Sequence, residues 1–298
     1  MTEACPLVDS HHHIWRLADL AWLSGPTVPR IFGPYDSIRR DYPIEEFRAE
    51  AEAAGAVKSV YVQTNWPAGG AVPEAEWVRD VAQANDGWPH ATVAYTDLGS
   101  EDAADTLAQL SRIKGVVGIR QQIHWHENPQ YRFASRPDLM NDGAWQRNFA
   151  RLADYDFSFD IQLFTGQMAD GAAFAKAFPG TTLVLQHAGM LEDLSPAGWA
   201  AWREGMKRLA DQPNVVSKLS GLGTFVHAVD PSLINAIVRE TVEMFGADRC
   251  LFGSNFPVEK LWTDYASLAQ AHRDALAHLP ADQQRAVLHD NAVRIYKL

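Results

Sequence analysis

The stretch LVDSHHHIW, residues 7–15, begins with two apolar residues, ends on Ile14 and Trp15, and carries three consecutive histidines behind Asp9. A short apolar-flanked run of this kind reads as a β-strand, and its flanks mark the histidines as native rather than a purification tag. Side chains alternate along a strand, so Asp9, His11 and His13 share one face and His12 points to the other. Seven further runs of the same kind follow at 58–66, 91–98, 115–123, 157–164, 181–189, 214–222 and 249–258. Amphipathic helical patterns separate them at 44–55, 74–85, 102–113, 143–154, 167–178, 196–210, 231–245 and 264–278. Regular β–α alternation of this length predicts a (β/α)8 barrel, read as a single domain over 1–298. An open doubly wound sheet is the alternative, but no G-x-G-x-x-G follows the first strand.

Two stretches, 16–42 and 124–142, lack a core pattern and fall after strands one and four. In a barrel they become long loops on the face that carries chemistry, where enclosure of a substrate is the expected role. Gln63, Asp97, Arg120, Gln162, His187, Lys218 and Asn255 stand at or near the C-terminal ends of the other seven strands. Polar residues at every strand end read as the lining of a pocket. Within that pocket His11 and His13 are spaced to reach one ion or one substrate carbonyl, and Asp9 is placed to orient an imidazole.

Composition narrows the partners. The 298 residues carry 47% hydrophobic and 21% charged side chains and a formal net charge of −11. Nucleic acid and anionic membranes need clustered Lys and Arg, so neither is expected, and no apolar run is long enough to span a bilayer. A small molecule is the expected partner, a cytoplasmic location the default, and homo-oligomerisation is left open. Cys5 and Cys250, the only cysteines, exclude a disulfide framework; both are expected reduced, near each other at the bottom of the barrel.

The ordered motifs DSHHHIW, TDLGS, GIRQQ, LQHAG, SKLSGL and CLFGSNFPV, followed by NAVRIY, resemble the amidohydrolase-related (amidohydrolase 2) family along essentially the whole chain. The likeness is closer to its sugar-lactonase and 2-pyrone-4,6-dicarboxylate lactonase branch. The resemblance implies a distorted (β/α)8 barrel that opens a lactone ring by water attack on a polarised carbonyl. Carried over by motif, His11 and His13 are the first-strand pair, His187 is the sixth-strand histidine, and Arg120 binds a substrate carboxylate or hydroxyl. The family's eighth-strand motif commonly reads G-S-D-x-P. This chain has Asn255 where that aspartate stands.

Two mechanisms stay open at this point. In one, His11, His13 and His187 hold a single divalent ion, Zn or Mn, that lowers the pKa of bound water. In the other no metal is present and a carboxylate takes the proton from water. Asparagine has no basic lone pair, so the base falls to metal hydroxide, His187, Glu259 or Asp97. Glu259 reads equally well as a surface residue beside Lys260. Gln63, Gln162, Lys218, His124, His227 and Trp66 are expected to contact substrate. Two other activities compete: a metal-dependent decarboxylase of an aromatic or muconate-like acid, and a barrel that binds a small ligand without catalysis.

Overall fold

The computed structural model describes residues 5–298. Eight parallel strands, β1 (Leu7–His12), β2 (Ala56–Val62), β3 (Ala91–Tyr95), β4 (Val116–Arg120), β5 (Ser158–Ile161), β6 (Leu183–Leu185), β7 (Val215–Leu219) and β8 (Cys250–Phe252), pair in sequence order. The ring closes through a single bridge between His12 and Phe256, supported by Asn255 N–H donating to His11 O at 2.7 Å. Asp9 staples the same seam. Its carboxylate accepts from the backbone N–H groups of His11 and Ser254 and from the Tyr265 hydroxyl. It therefore anchors backbone and a tyrosine, not an imidazole as its parity suggested. The result is the distorted (β/α)8 barrel.

The observed strands are shorter than the predicted runs because their polar ends leave the ladder. His187, Ala188 and Asn255 have φ of 55°, 47° and 58°. Such left-handed residues cost on the order of 1–3 kcal/mol each and persist where surrounding contacts hold them. Here Trp202 donates its indole N–H to Ala188 O at 2.8 Å. That turn swings His187 over the barrel mouth instead of continuing β6.

Among the described residues eleven α-helices accompany the strands. The first, α1 (Ala21–Ser24), lies in the loop after β1, and α2 (Ile44–Ala53), α3 (Ala71–Ala84), α4 (Ala103–Leu110), α5 (Gly143–Ala150), α6 (Met168–Ala177), α7 (Pro196–Ala210), α8 (Pro231–Phe245) and α9 (Tyr265–Leu276) form the outer layer. Four of them, α5, α7, α8 and α9, start at side-chain caps: Asp142, Ser195, Asp230 and Asp264 each accept an N–H of the first turn, with proline opening α7 and α8. After α9 the chain forms α10 (Ala281–Arg285), a five-residue π turn and α11 (Asn291–Tyr296). Tyr296 packs with Val8, Val60, Val93, Val184 and Leu251 in a cluster separate from the larger layer between strands and helices.

The loop after β1 is better packed than its sequence suggested. Leu20, Leu23, Tyr35, Ile38 and Tyr42 are buried, and Trp15 pairs with Tyr42 through two backbone hydrogen bonds. No described helix is long and apolar enough to cross a membrane. Cys5 and Cys250 are both free thiols.

His12 faces the helical layer and stacks on Phe47 of α2 with ring centroids 3.7 Å apart. Both of its ring nitrogens are buried without a hydrogen-bond partner among the described residues. An unsatisfied buried polar group costs about 1–3 kcal/mol, so His12→Leu is expected to hold or raise stability, by about 1 kcal/mol after imperfect repacking. Urea denaturation measures it; a loss above 2 kcal/mol would show that the ring nitrogens are satisfied after all.

Candidate active site

The C-terminal ends of the strands surround an open cavity of about 110 Å³. His13, Gln63, Arg120, Gln162, His187 and Asn255 reach its wall, with Trp15, Trp22 and Phe32 from β1 and the loop behind it. His11 sits directly beneath, fully buried. Its ring lies 5.1 Å from His13 and 4.9 Å from His187, centroid to centroid, so one strand and one left-handed turn bring three imidazoles together.

Each ring is fixed differently. His13 Nδ1 is 2.7 Å from Val62 O, which makes it the donor and leaves the lone pair on Nε2, with the Asn255 amide beside the ring. His187 Nδ1 meets Ser220 Oγ at 3.0 Å. The ring also rests on Gly221, where a Cβ would approach Nδ1 to 2.5 Å and where φ is +60°, so only glycine fits. His11 Nδ1 faces the Gln186 amide N–H at 3.5 Å, and the same amide donates to Asp160 at 3.2 Å. Because that amide nitrogen is oriented by the carboxylate, the His11 proton belongs on Nε2, which is buried without a protein partner. Burial, reinforced by the positive Arg120 and Lys218, holds His11 and His187 well below the ordinary histidine range and His13 at about 3. All three are neutral at physiological pH.

Arg120 crosses the floor of the cavity. It donates to Gln162 Oε1 at 2.9 Å and Gln63 O at 3.3 Å; burial lowers its pKa to about 10, which still leaves it charged. Among the described residues no aspartate or glutamate lines this cavity. The Arg120 charge is therefore met at the wall only by neutral groups.

The other expected site residues are distributed as follows. Lys218, expected to bind substrate, instead lies fully buried, with Nζ 2.5 Å from Asp160 Oδ2. Asp160 also accepts from the Tyr296 hydroxyl at 3.0 Å. Asp97, a candidate base, is exposed on a separate cleft, accepting from Gln121 and from Gly99 N–H. Trp66 packs against Trp77, away from the cavity wall, and His227 approaches Ile31 O at 3.3 Å, fastening the loop after β7 to the loop after β1. His124 is buried and faces a second, outer chamber. Glu259 is not on the surface: it is fully buried behind Asn255, accepts from Trp262 Nε1 at 2.9 Å, and is pushed up to about 8, chiefly by burial. Lys260 turns the other way, to Glu46 of α2 at 2.7 Å.

Several groups were not anticipated. Asn65, with φ of 61°, and Gln122 line the cavity and hydrogen-bond each other at 2.7 Å. Glu74, buried in α3, gathers Thr64 and Tyr61 and so shapes the end of β2. Asp160 and Gln186 lie below the histidines. Their signal was present as polar residues inside apolar strands, but nothing in the sequence pairs them.

Among the described residues no group of three His, Cys, Asp or Glu side chains is disposed to hold an ion. The eighth-strand position offers a neutral amide, and the His11 tautomer presents N–H rather than a lone pair. The arrangement does not fit a preformed metal centre.

A family model described as amidohydrolase matches residues 8–298. The chain belongs to the amidohydrolase family. Among relatives of this amidohydrolase, an uncharacterized protein, y4mH, of Sinorhizobium fredii is 33% identical over 98% of both chains. An L-fucono-1,5-lactonase of Burkholderia ambifaria is 28% identical over 98% of this chain and 95% of its own. A crystal structure of an amidohydrolase from Burkholderia multivorans with bound zinc superposes with a TM-score of 0.83 at 26% identity, covering 98% of this amidohydrolase and 99% of that chain. Together these support a hydrolase.

Proposed function

We propose that this amidohydrolase opens the ring of a small lactone by adding water across its acyl C–O bond. The observation that carries this reading is the grouping of three neutral imidazoles beside a guanidinium that no wall carboxylate neutralises. Lactone hydrolysis needs those two things: a lone pair to take a proton from water and positive character where the carbonyl oxygen becomes an oxyanion. The similarity to lactonase-named relatives supports the same class.

In this reading His13 Nε2 takes the proton of the attacking water, and the Asn255 amide orients that water. Arg120 and the N–H on His11 Nε2 stabilise the developing oxyanion. His13, now an imidazolium, gives that proton to the leaving ring oxygen as the C–O bond breaks, while neutral His187, its ring held by the Ser220 hydroxyl, donates a hydrogen bond to the same oxygen. Water supplies both hydrogens, so the products are one hydroxy acid and the regenerated enzyme.

The test is proton release from a panel of aldonolactones and pyrone carboxylate lactones, with and without prior chelation. Turnover that survives chelation is the expected result. Turnover that disappears on chelation and returns with Zn²⁺ or Mn²⁺ would replace the imidazole base with a metal hydroxide. Absence of turnover on every lactone would reject the reading.

A further inference from the structure

Beside the inner cavity lies an outer chamber of about 340 Å³ built from the loops after β1 and β4, and the two share Trp22, Ile31, Phe32, Asn65 and Gln122 as common wall. The outer chamber is about three times the larger. Its sides are apolar and aromatic, including Phe32, Tyr131 and Phe133, but two guanidiniums border it.

Those arginines lack acidic partners among the described residues. Arg30 lies over the Trp22 ring at 5.5 Å, and its Nε is buried without a hydrogen-bond partner. Arg132 lies over Trp125 and donates only to the carbonyls of His126 and Glu127. Among the described residues no Asp or Glu lines either chamber, in a protein whose formal net charge is −11. With Arg120 in the inner cavity, three positive groups border the two adjoining chambers, and none of the described residues lining them is an anion. A half-buried guanidinium held over an aromatic face with a spare donor is a preorganised carboxylate receptor. His124 adds a second unpartnered buried nitrogen, Nδ1, on the same wall.

We infer that the outer chamber is a subsite for an apolar or aryl arm ending in a carboxylate, with Arg30 its principal ligand. Resting on the lactone reading above, this makes the substrate a lactone whose ring enters the inner cavity and whose anionic arm fills the outer one, rather than a bare polyhydroxylated ring. Arg120 is left for the lactone carbonyl.

The experiment has a binding arm and a turnover arm. Calorimetry compares 3-phenylpropionate with 3-phenylpropionamide on the full chain and on the variants Arg30→Met and Arg30→Lys. A charge-assisted hydrogen bond is expected to favour the carboxylate about 10–100-fold, with Met abolishing that preference and Lys restoring part of it. Turnover compares a δ-lactone bearing a carboxyphenyl arm with its methyl ester. The ratio of their kcat/KM values is expected to favour the acid through KM and to fall at least about tenfold in Arg30→Met.

A carboxylate preference that persists undiminished in Arg30→Met would overturn the assignment, and so would equal binding of acid and amide by the unaltered chain. If the binding preference depends on Arg30 but no lactone turns over, the anion subsite stands and the lactonase reading fails. If lactones turn over with no effect of the arm or of Arg30, the lactonase reading stands and the subsite fails.

Discussion

Lys218→Met is expected to destabilise the protein by about 3–5 kcal/mol, the usual cost of removing one partner from a buried ion pair. Lys218 and Asp160 are both completely buried. The substitution keeps the apolar stem but removes the charge, leaving the Asp160 carboxylate with only the neutral donors of Tyr296 and Gln186. Burial lowers the Lys218 pKa while Asp160 opposes that shift, so the carboxylate is what keeps the ammonium charged. The double variant Asp160→Asn/Lys218→Met carries no buried charge at this position. It is expected to recover a substantial part of the loss, a coupling that independent sites would not show. Urea denaturation of the four-member cycle supplies the numbers. A Lys218→Met cost below 1 kcal/mol, or strict additivity, would mean that water or another group already solvates Asp160.

This pair shows where sequence reading succeeds and stops. The barrel was legible because eight apolar runs alternate with eight amphipathic ones, a pattern that follows directly from burying a sheet beneath helices. The assembly of His11, His13 and His187 was anticipated from strand parity and motif order. Lys218 was misplaced because parity says which face a residue takes, not whether its charge meets substrate or another strand. Its partner, Asp160, lies in FSFDIQLF, where a polar residue amid apolar neighbours looks like any solvated strand position. Glu259 was ambiguous for a similar reason. Lys260 beside it suggests a surface pair, and burial depends on Gly223, distant in sequence, where a Cβ would come within 2.9 Å of Glu259 Oε2. The outer chamber was foreseen only as two long loops. Their packing against each other is tertiary and leaves no periodic trace.

Glu259→Gln is expected to remove a pH dependence of stability and to make the protein more stable than the parent above pH 8. In the folded chain the carboxyl is pushed up from 4.5 to about 8, first by burial; Trp262, Asn255 and Gly223 oppose the shift. Between those values the folded state keeps a proton that the unfolded state releases. Stability from this group is therefore complete below pH 4.5, falls as pH rises, and is gone above about 8. At about 1.4 kcal/mol for each pH unit in that interval, the full swing is up to about 5 kcal/mol. The buried histidines act in the opposite sense. Their pKa values lie below 6.5, with His13 and His124 at about 3, so unfolded histidines take up protons that the folded ones refuse, and stability rises with pH up to about 6.5. The two effects overlap in acid. From pH 6.5 to 8 the Glu259 contribution stands apart from theirs, and over that range the difference between Glu259→Gln and the parent should move by about 2 kcal/mol in favour of the variant. A pH-independent difference would place the Glu259 pKa in the ordinary carboxylate range. The carboxyl beside Asn255 would then be an anion at neutral pH, and it would become the stronger candidate for taking the proton from water.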